Sequence, residues 1–494
     1  MAANPATPVG DSEAIAQLQQ RFEAHRRAFL RHPYPSARER RAHLYALAAA
    51  LLDNRARLRE ALRADFAVHP DATADLVDIG GPLGRSLAAA RQVRGWMRPE
   101  RRRVERLAFG SSTAQVAWQP KGVTGIVAPW NFPFDLSFGP LCDMLAAGNR
   151  VLIKMSEHTP ACGALAAEIL ARTFAADHVA AVNGGVALGR AFAALRWDHL
   201  LFTGNPEVGR EVAQVAAANL VPVTLELGGK NPAIFAPDAV TAEHVNLALD
   251  VKLVNSGQMC VAMDHCFVPR PQLEAFVRLA RAHFAGALQD YSRSAHCTGI
   301  ISPRHFSRQL QLLEEARAAG ARIEQLDAGG AVDSRTRRLP VSLIIDPPAE
   351  LRLMKEEIFG PLLPVIPYDS VSELIDSLNR GERPLALYLY THDRRLIERF
   401  RDGTMSGGLG VNASAAQAAL DDLGFGGVGR SGSGRYHGRD GFREFSNPRG
   451  VFVRGRGGGF DNFLPPFGPR KQRRIDALFA LRRLQLRLAR FRAG

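Results

Sequence analysis

The hydrophobic pattern of the chain changes near residue 120. Over residues 21–90, alanine, leucine and arginine recur at helical spacing, and few glycines or prolines follow Pro35. This pattern predicts a helical N-terminal region. From Lys121 onward, short apolar runs alternate with alanine-rich segments. Strands that alternate with helices are typical of βαβ units, so this part of the chain predicts a parallel sheet.

The apolar runs give the bounds of the predicted elements. Strands are predicted at 125–128, 150–153, 179–182 and 199–202, and helices at 159–174, 188–195 and 206–219. We expect a Rossmann-like, doubly wound domain, in which ligands bind at the carboxyl ends of the strands. Helix N-termini leave N–H groups free there for phosphates, and the turn before Pro206 has the right form for a pyrophosphate. A plain strand-to-helix turn is the alternative, because no Gly-x-Gly-x-x-Gly fingerprint is present.

Composition agrees with a large, soluble protein of two or three domains. The chain has 494 residues, of which 46% are hydrophobic and 23% charged. Its five cysteines are an odd number without clustered spacing, which favours a reducing, cytoplasmic compartment over a disulfide scaffold. No metal-binding motif is present, so we expect no metal site. Residues 1–20 do not have the pattern of a secretory signal, and no apolar run has the length of a membrane span.

The formal charge of +14 is concentrated at the C-terminus. Residues 469–494 contain nine Arg or Lys and one Asp. Because the excess is largely terminal, we expect no nucleic-acid partner. The tail predicts a basic amphipathic helix suited to an anionic membrane surface, and its apolar face would carry Leu478, Leu481, Leu484, Leu488 and Phe491. The alternatives are a helix packed on a partner subunit and a solvated end.

One cysteine lies in surroundings that suit chemistry. Cys260 ends the small, polar run Asn-Ser-Gly-Gln-Met-Cys, 34 positions after Glu226. A thiol and a carboxylate are the parts needed for covalent catalysis on a carbonyl, and Glu226 is the nearest candidate for a base. The alternatives are a packing role for Cys260 and a surface position for Glu226. A packing role is expected for the other four cysteines, which are Cys142, Cys162, Cys266 and Cys297.

Six ordered motifs give the chain a specific resemblance. They are Pro-Trp-Asn-Phe-Pro at 129–133, Lys-Met-Ser-Glu at 154–157, Phe-Thr-Gly-Asn-Pro-Glu-Val-Gly at 202–209, Glu-Leu-Gly-Gly-Lys at 226–230, the Cys260 run, and Glu-Glu-Ile-Phe-Gly-Pro at 356–361. Together they resemble the NAD(P)-dependent aldehyde dehydrogenase superfamily from about residue 21 to 467. The run at 425–438 resembles the class 3 branch. The runs at 96–99 and 464–468 resemble coniferyl aldehyde dehydrogenases.

The resemblance implies an α/β fold with three parts and an appended tail. The Rossmann-like cofactor domain would comprise 1–100 and 122–226, and the α/β catalytic domain 227–428. A bridging or oligomerisation segment would comprise 101–121 and 429–455, and the tail 456–494. Class 3 resemblance further implies a homodimer. We expect a cytoplasmic protein, with peripheral contact at the inner face of a membrane as an addition that depends on the tail.

The resemblance also assigns roles to single residues. Cys260 would attack the aldehyde, Glu226 would activate the hydrolytic water, and the Asn131 amide would stabilise the oxyanion together with the Cys260 N–H. Lys154 and Glu157 would contact the adenosine ribose, and the Glu157 charge favours NAD, with NADP as the second cofactor. The other cofactor contacts would be Trp130, Gly204, Asn205, Val208, Gly209, Glu357 and Phe359. From pattern alone, a solvated loop is favoured for Lys154 and Glu157 and a surface position for Glu357. A core position is the alternative for Trp130, and turns are the alternative for Asn131 and for the loop at 204–209.

Departures from the family pattern lie near the expected substrate entrance. Val-Ala-Met-Asp-His follows Cys260, Gly424 precedes Phe425, and an alanine-rich run occupies 411–417. The expected substrate is a hydrophobic aldehyde, with an aromatic, coniferyl-type aldehyde ahead of a medium or long aliphatic one. A thioesterase or esterase that uses the same cysteine is an alternative. Another is a catalytically retired scaffold that binds membrane or nucleic acid through its tail.

Overall fold

The computed structural model describes residues 9–286 and 288–493. Parts of the predicted cofactor domain and tail, residues 1–8 and 494, lie outside the described residues. The chain divides into two compact units. The larger unit comprises Met1–Trp96 and Pro120–Asn447, and the smaller unit comprises Met97–Gln119 and Pro448–Gly494.

The α-helices of the described residues follow in chain order. They are α1 Val9–Arg31, α2 Ala37–Asp53, α3 Arg55–Phe66, α4 Asp71–Thr73, α5 Gly80–Trp96, α6 Arg106–Phe109, α7 Asp135–Ala147, α8 Pro160–Thr173, α9 Val186–Ala193, α10 Pro206–Ala218, α11 Ala242–Leu253, α12 Leu273–Phe284, α13 Pro303–Ala318, α14 Arg352–Lys355, α15 Val371–Arg380, α16 Arg394–Gly403, α17 Gly438–Glu444 and α18 Pro469–Ala493. A π-helical turn, Ala74–Ile79, precedes α5.

The strands of the described residues form three sheets. They are β1 Glu100–Arg102, β2 Thr113–Pro120, β3 Val123–Val127, β4 Arg150–Lys154, β5 Val179–Val182, β6 His199–Gly204, β7 Val223–Leu227, β8 Pro232–Phe235, β9 His265–Pro269, β10 Arg322–Gln325, β11 Ser342–Ile345, β12 Leu362–Tyr368, β13 Ala386–Tyr390, β14 Gly408–Val411, β15 Gly432–Ser433 and β16 Ser446–Val453. The sheets have the orders β15-β7-β6-β3-β4-β5, β10-β11-β12-β9-β8-β13-β14 and β1-β2-β16.

The first two sheets are predominantly parallel and lie in the larger unit. In the first sheet, β3, β4, β5, β6 and β7 run parallel and only β15 is antiparallel. This arrangement confirms the predicted α/β fold with a doubly wound sheet. The predicted strands and helices are present with small shifts. One difference is the strand predicted to end at Phe202, which continues to Gly204 because its last two residues still pair with β7.

The core of the first sheet is apolar on the face covered by the N-terminal helix. Leu18 and Phe22 of α1 pack in one cluster with strand residues such as Leu152 and Leu200. The Phe22 ring meets the Trp197 ring edge to face at 4.9 Å. The helical character predicted for 21–90 is therefore confirmed, and its apolar residues serve to cover the sheet.

The smaller unit contains the third sheet and helix α18. Strand β1 pairs antiparallel with β2. The Phe109 ring lies 5.7 Å from the Phe452 ring and 5.8 Å from the Phe460 ring. These contacts give the unit a small, partly exposed aromatic cluster.

Helix α18 confirms the predicted helix but corrects its predicted amphipathicity. Phe479 and Leu486 lie about 180° from the predicted apolar face, because a helix advances about 100° per residue. Both are exposed, and so are Leu481, Leu484 and Phe491. Apolar residues therefore occur around the helix and not on one face. Within the described part of the chain, no helix is both long and apolar enough to cross a membrane.

Candidate functional site

Most predicted site residues lie at one edge of the first sheet. Because β3, β4, β6 and β7 are parallel, their carboxyl ends meet there. Trp130 and Asn131 follow β3, Lys154 and Glu157 follow or end β4, and Gly204 ends β6. Glu226 belongs to β7 and pairs in register with Thr203. Ligand sites of such sheets occur at this edge, so the fold brings these residues to the expected position.

The segment before Cys260 has an unusual backbone. Asn255, Ser256 and Gly257 have positive φ values of 51°, 52° and 74° in succession. A Cβ atom on Gly257 would lie 2.3 Å from the Gly360 carbonyl oxygen, so only glycine fits there. Consecutive left-handed residues without glycine are strained, and such strain is concentrated at functional sites.

Asn131 contacts the segment that carries Cys260. Its side-chain Nδ2 donates to the Gln258 carbonyl oxygen at 3.2 Å, and its own carbonyl oxygen accepts from Asn255 Nδ2 at 2.8 Å. The Asn131 residue is 3% exposed. Two segments that are more than 120 residues apart in sequence are thereby joined, and the Asn131 amide keeps a second N–H for another acceptor.

Glu226 is buried, and neither carboxylate oxygen has a hydrogen-bond partner among the described residues. Burial raises the pKa of Glu226 well above its usual value, Arg435 opposes this shift, and the Glu444 charge adds to it. A carboxylate with a raised pKa and free oxygens is a stronger proton acceptor than an ordinary glutamate.

Cys260 is half-buried, whereas the other four cysteines are buried and fill packing positions, as predicted. Burial, followed by the charges of Glu357 and Glu226, raises the pKa of the Cys260 thiol to about 12. The resting site therefore does not provide the electropositive pocket that would ionise a thiol. The thiol needs a proton acceptor at the moment of attack, or a change in the charges around it.

The lysine of the Glu-Leu-Gly-Gly-Lys motif ties this turn to the Glu356 segment. Lys230 Nζ pairs with the buried Asp264 carboxylate and donates to the carbonyl oxygens of Leu353 at 2.9 Å and Glu356 at 3.0 Å. Asp264 Oδ1 in turn accepts from the Ile358 N–H at 2.7 Å. The Lys230–Asp264 ion pair and its hydrogen bonds thus join the motif at 226–230 to the motif at 356–361.

Asn231 is a site residue that sequence reasoning missed. Its Nδ2 donates to the carbonyl oxygens of Cys260 at 2.7 Å and Ala262 at 2.9 Å, and its Oδ1 accepts from the Ala386 N–H at 2.9 Å. These bonds fix the backbone on both sides of Val261, and so the position of Cys260. The available signal was its place directly after the motif that ends at Lys230.

Glu357 lies against the glycine turn of the same motif. A Cβ atom on Gly228 would meet the Glu357 Oε2 atom at 2.0 Å. Burial and the nearby Asp264 charge raise the pKa of Glu357 to about 8. The glycine therefore permits a carboxylate to approach the backbone closely beside the Cys260 site.

Aromatic rings are clustered around Trp130 and Phe359, and Phe359 follows Glu357 by two residues. The Trp130 ring meets the Phe359 ring at 5.3 Å and the His305 ring at 5.1 Å, and His305 meets His158 at 5.4 Å. Phe359 has a positive φ of 53°, a strained value for an aromatic residue. The two histidines were not predicted, because a single histidine carries no sequence signal.

The turn after β6 has features of a dinucleotide site. Asn205 caps α10, since its side-chain oxygen accepts from the Val208 N–H at 2.9 Å. A Cβ atom on Gly209 would lie 2.5 Å from a Leu227 side-chain atom, so glycine allows α10 to approach β7 closely. Val208 is 41% exposed in the first turn of the helix. A helix N-terminus with an exposed apolar residue fits the phosphates and a flat ring of NAD(P).

Lys154 and Glu157 form an ion pair at the end of β4. Lys154 Nζ lies 2.8 Å from Glu157 Oε2, and the lysine is 3% exposed whereas the glutamate side chain is 39% exposed. The ammonium and the carboxylate offer a donor and an acceptor to a ribose. Among the described residues, no group of three or more His, Cys, Asp or Glu side chains could hold a metal ion.

The comparisons with known proteins agree with this geometry. The sequence profile of the aldehyde dehydrogenase family matches residues 8–451. A probable coniferyl aldehyde dehydrogenase of Pseudomonas aeruginosa is 42% identical over 467 residues, which is 94% of this chain and 97% of that protein. The coniferyl aldehyde dehydrogenase of Pseudomonas sp. strain HR199 is 38% identical over 90% of this chain and 92% of that protein. The chain belongs to the aldehyde dehydrogenase family.

Solved structures of aldehyde dehydrogenases share the fold. The substrate-bound state of Staphylococcus aureus AldH superposes with a TM-score of 0.87 at 30% identity and covers 94% of this chain and 99% of that one. The Mycobacterium tuberculosis aldehyde dehydrogenase complexed with NAD+ has a TM-score of 0.78 at 27% identity, with 90% of each chain covered. This aldehyde dehydrogenase is accordingly an NAD(P)-dependent oxidoreductase, as the six motifs predicted.

Proposed function

We propose that this aldehyde dehydrogenase oxidises an aromatic, coniferyl-type aldehyde to its carboxylic acid through a covalent adduct on Cys260. The observation that carries the proposal is the apolar cluster around the thiol. Its buried members are Phe132, Leu136, Met259, Val261, Ala262 and Leu385, and its partly buried members are Val77, Val251, Val254, Cys260, Ala415, Ala418 and Phe425. Relatives named for coniferyl aldehyde support the aromatic assignment.

The composition of this cluster suits a flat substrate. Two phenylalanines, Phe132 and Phe425, offer ring faces or edges, and aromatic pairs contribute about 0.5–1.5 kcal/mol beyond their buried area. Ala415 belongs to the alanine-rich run at 411–417 and Ala418 follows this run directly, and both contribute only a methyl group to the cluster. A bulky planar aldehyde uses both features.

The proposed reaction divides between three side chains. The Cys260 thiol loses its proton to water, and the sulfur attacks the aldehyde carbon. The new oxyanion accepts hydrogen bonds from the Asn131 amide and the Cys260 N–H. Bound NAD(P)+ supplies the oxidation, because it accepts a hydride. The resulting thioester on Cys260 is hydrolysed by a water molecule. Glu226 takes the proton of this water, and the acid leaves as the thiol is restored.

The proposed cofactor contacts follow the same edge of the sheet. Lys154 and Glu157 would hold the adenosine ribose, Glu357 the nicotinamide ribose, and Trp130 and Phe359 the nicotinamide ring. The loop contacts would be Gly204, Asn205, Val208 and Gly209. The partly exposed Glu157 carboxylate would repel a 2′-phosphate, so we propose that NAD is preferred over NADP. We also propose that the cofactor domain comprises residues 1–100 and 122–226, the catalytic domain 227–428, and the bridging segment 101–121 and 429–455.

We further propose a homodimer that uses the exposed edge of the third sheet. Strand β16 is largely exposed, with Phe452 at 49% and Val453 at 57%. Exposed apolar edge strands pair readily with a second chain. Light scattering of Phe452→Arg should give a monomer where the wild type gives a dimer, and an unchanged dimer would contradict this edge.

Helix α18 supports a separate proposal of peripheral membrane contact at a cytoplasmic face. Its exposed leucines and phenylalanines occur among eight Arg or Lys residues over 470–490. Because its apolar residues do not share one face, the proposal rests on the attraction of these basic residues to anionic lipid headgroups, which is worth about 1 kcal/mol per Lys or Arg near the surface. Sedimentation with anionic liposomes should depend on residues 469–494 and weaken at high salt. Binding that survives both deletion and salt would contradict the proposal.

A comparison of aldehydes tests the proposed substrate. The wild type should form NADH faster from coniferyl aldehyde than from decanal, as judged by kcat/KM at 340 nm. Ala418→Leu should reduce turnover of coniferyl aldehyde more than that of acetaldehyde, because only the large substrate needs this space. Preference for decanal would favour a fatty aldehyde dehydrogenase. Ester cleavage without NADH formation would favour the esterase alternative, and inactivity with every aldehyde would favour a retired scaffold.

A further inference from the structure

A buried carboxyl group lies behind the loop that carries Asn131. Asp78 is 0% exposed and occupies the π-helical turn Ala74–Ile79. Such turns are rare and are frequent at functional sites. The neighbouring Val77 belongs to the apolar cluster around Cys260, so the turn borders the site without supplying a group to the proposed reaction.

Asp78 holds the start of α7. Its Oδ1 accepts from the N–H groups of Phe134 at 3.1 Å and Asp135 at 3.4 Å. The first N–H groups of a helix have no partner within the helix, and the residue that precedes α7 provides no side-chain cap. Asp78 is therefore a cap supplied by a distant part of the chain. Asn131 lies only three residues before Phe134.

A buried ion pair fixes the same turn from the other side. Asp135, the first residue of α7, pairs with the Arg85 guanidinium of α5, and both are at most 8% exposed. A Cβ atom on Gly81 would lie 2.4 Å from Asp135 Oδ1, and one on Gly139 would lie 2.6 Å from Arg85 Nη1. Two glycines thus make room for the pair. The start of α7 is consequently held by two residues of the segment 78–85.

The two ends of the Asn131 loop are anchored to different elements. On one side, Asn131 bonds to Gln258 and Asn255 of the Cys260 segment. On the other side, Asp78 holds the N–H groups that follow. We propose that Asp78 is a positioning residue that sets the place of the Asn131 amide relative to Cys260. This inference rests on the proposed role of Asn131 as oxyanion donor.

A double-mutant cycle tests the inference. Asp78→Ala should lower kcat by about 10- to 100-fold with little change in KM, because a displacement of about 1 Å can cost about 100-fold. If Asp78 acts through Asn131, the same substitution in an Asn131→Ala background should cost less than about threefold. Equal losses in both backgrounds would overturn the inference. If Asn131→Ala itself has no effect, the proposed role of Asn131 fails instead.

Two further variants separate positioning from stability. Asp143 is buried like Asp78 but belongs to α7 itself, twelve residues beyond Asn131, and it accepts from the His437 N–H at 2.8 Å. Asp143→Ala should lower the unfolding midpoint as Asp78→Ala does, yet leave kcat within about threefold. Asp78→Asn keeps an acceptor for both N–H groups and should retain activity. A tenfold or larger loss in folded Asp78→Asn would overturn the inference even if Asp78→Ala does not fold.

Discussion

The replacement of Asn131 by alanine tests whether the side-chain amide of Asn131 stabilises the oxyanion. The Asn131 amide is buried, and one of its N–H groups already donates to the Gln258 carbonyl oxygen. The second N–H is the one offered to the oxyanion. Loss of one such donor typically lowers kcat by about 100- to 1,000-fold, which corresponds to about 2.7–4 kcal/mol of transition-state stabilisation. Loss of the bond to Gln258 costs about 1 kcal/mol in the free energy of unfolding.

With a saturating aromatic aldehyde, the rate of NADH formation by Asn131→Ala should therefore be about 100- to 1,000-fold lower than that of the wild type. KM should change little, because the bond to the oxyanion exists only in the transition state. Asn379→Ala is the matched control, since Asn379 Nδ2 donates to the Gly403 carbonyl oxygen at 2.7 Å on the protein surface. The control should retain full kcat. A loss below tenfold in folded Asn131→Ala would refute the assignment of this amide to the oxyanion.

Three further perturbations follow from charges in the larger unit. In the enzyme without cofactor, the rate of Cys260 alkylation by iodoacetamide should rise about tenfold per pH unit, with no plateau below pH ~10. Glu357→Gln should raise this rate by about three- to tenfold at pH 9, because it removes a negative charge that raises the thiol pKa. A plateau near pH 8 would contradict the raised pKa. Burial lowers the pKa of His69 from 6.5 to about 4, so its neutral form stabilises the fold above pH 6.5 and this contribution is lost as the pH falls toward 4. His69→Phe should remove about 2–3 kcal/mol of the stability loss between pH 7.5 and 4.5, as measured by urea unfolding at both values. Lys230→Met removes the cation that pairs with the buried Asp264 carboxylate, and should cost about 3–5 kcal/mol in the same assay. A cost below about 1 kcal/mol would contradict a structural role for that pair.

Much of the fold could be predicted because the hydrophobic period is strong. Short apolar runs and the helical segment before residue 90 appear where expected, since buried strands and covering helices need continuous or periodic apolar residues. The predicted ends of strands and helices differ from the observed ends by a few residues. Strand β6 continues past Phe202 because the end of a strand depends on its neighbour β7, which the local sequence does not reveal.

The site was partly predictable for a similar reason. Compact motifs with glycine and polar residues pointed to Cys260, Glu226 and Asn131. Asn231 and Asp78 were not predicted, because their hydrogen bonds join segments far apart in sequence and a single Asn or Asp has no local pattern. Tertiary contacts of this kind become visible only in the folded chain.

The tail shows the limit of a pattern argument. The residues chosen for one apolar face of α18 do share that face, but Phe479 and Leu486 lie on the opposite side. The five chosen residues alone predict an amphipathic helix, but the full set of apolar residues in α18 does not. Counting every apolar position around the helix would have predicted this result from the sequence.

The acyl group on Cys260 is the most direct test of the proposed mechanism. Glu226→Gln should form the thioester but hydrolyse it slowly, because the substituted side chain cannot accept the proton of water. After reaction with coniferyl aldehyde and NAD+, intact-protein and peptide mass spectrometry should therefore find the mass of the feruloyl group, the acyl group derived from this aldehyde, on the Cys260 peptide. The adduct should be absent from Cys260→Ala, which should also form no NADH. Undiminished NADH formation by Cys260→Ala, or an adduct on another residue, would contradict the account.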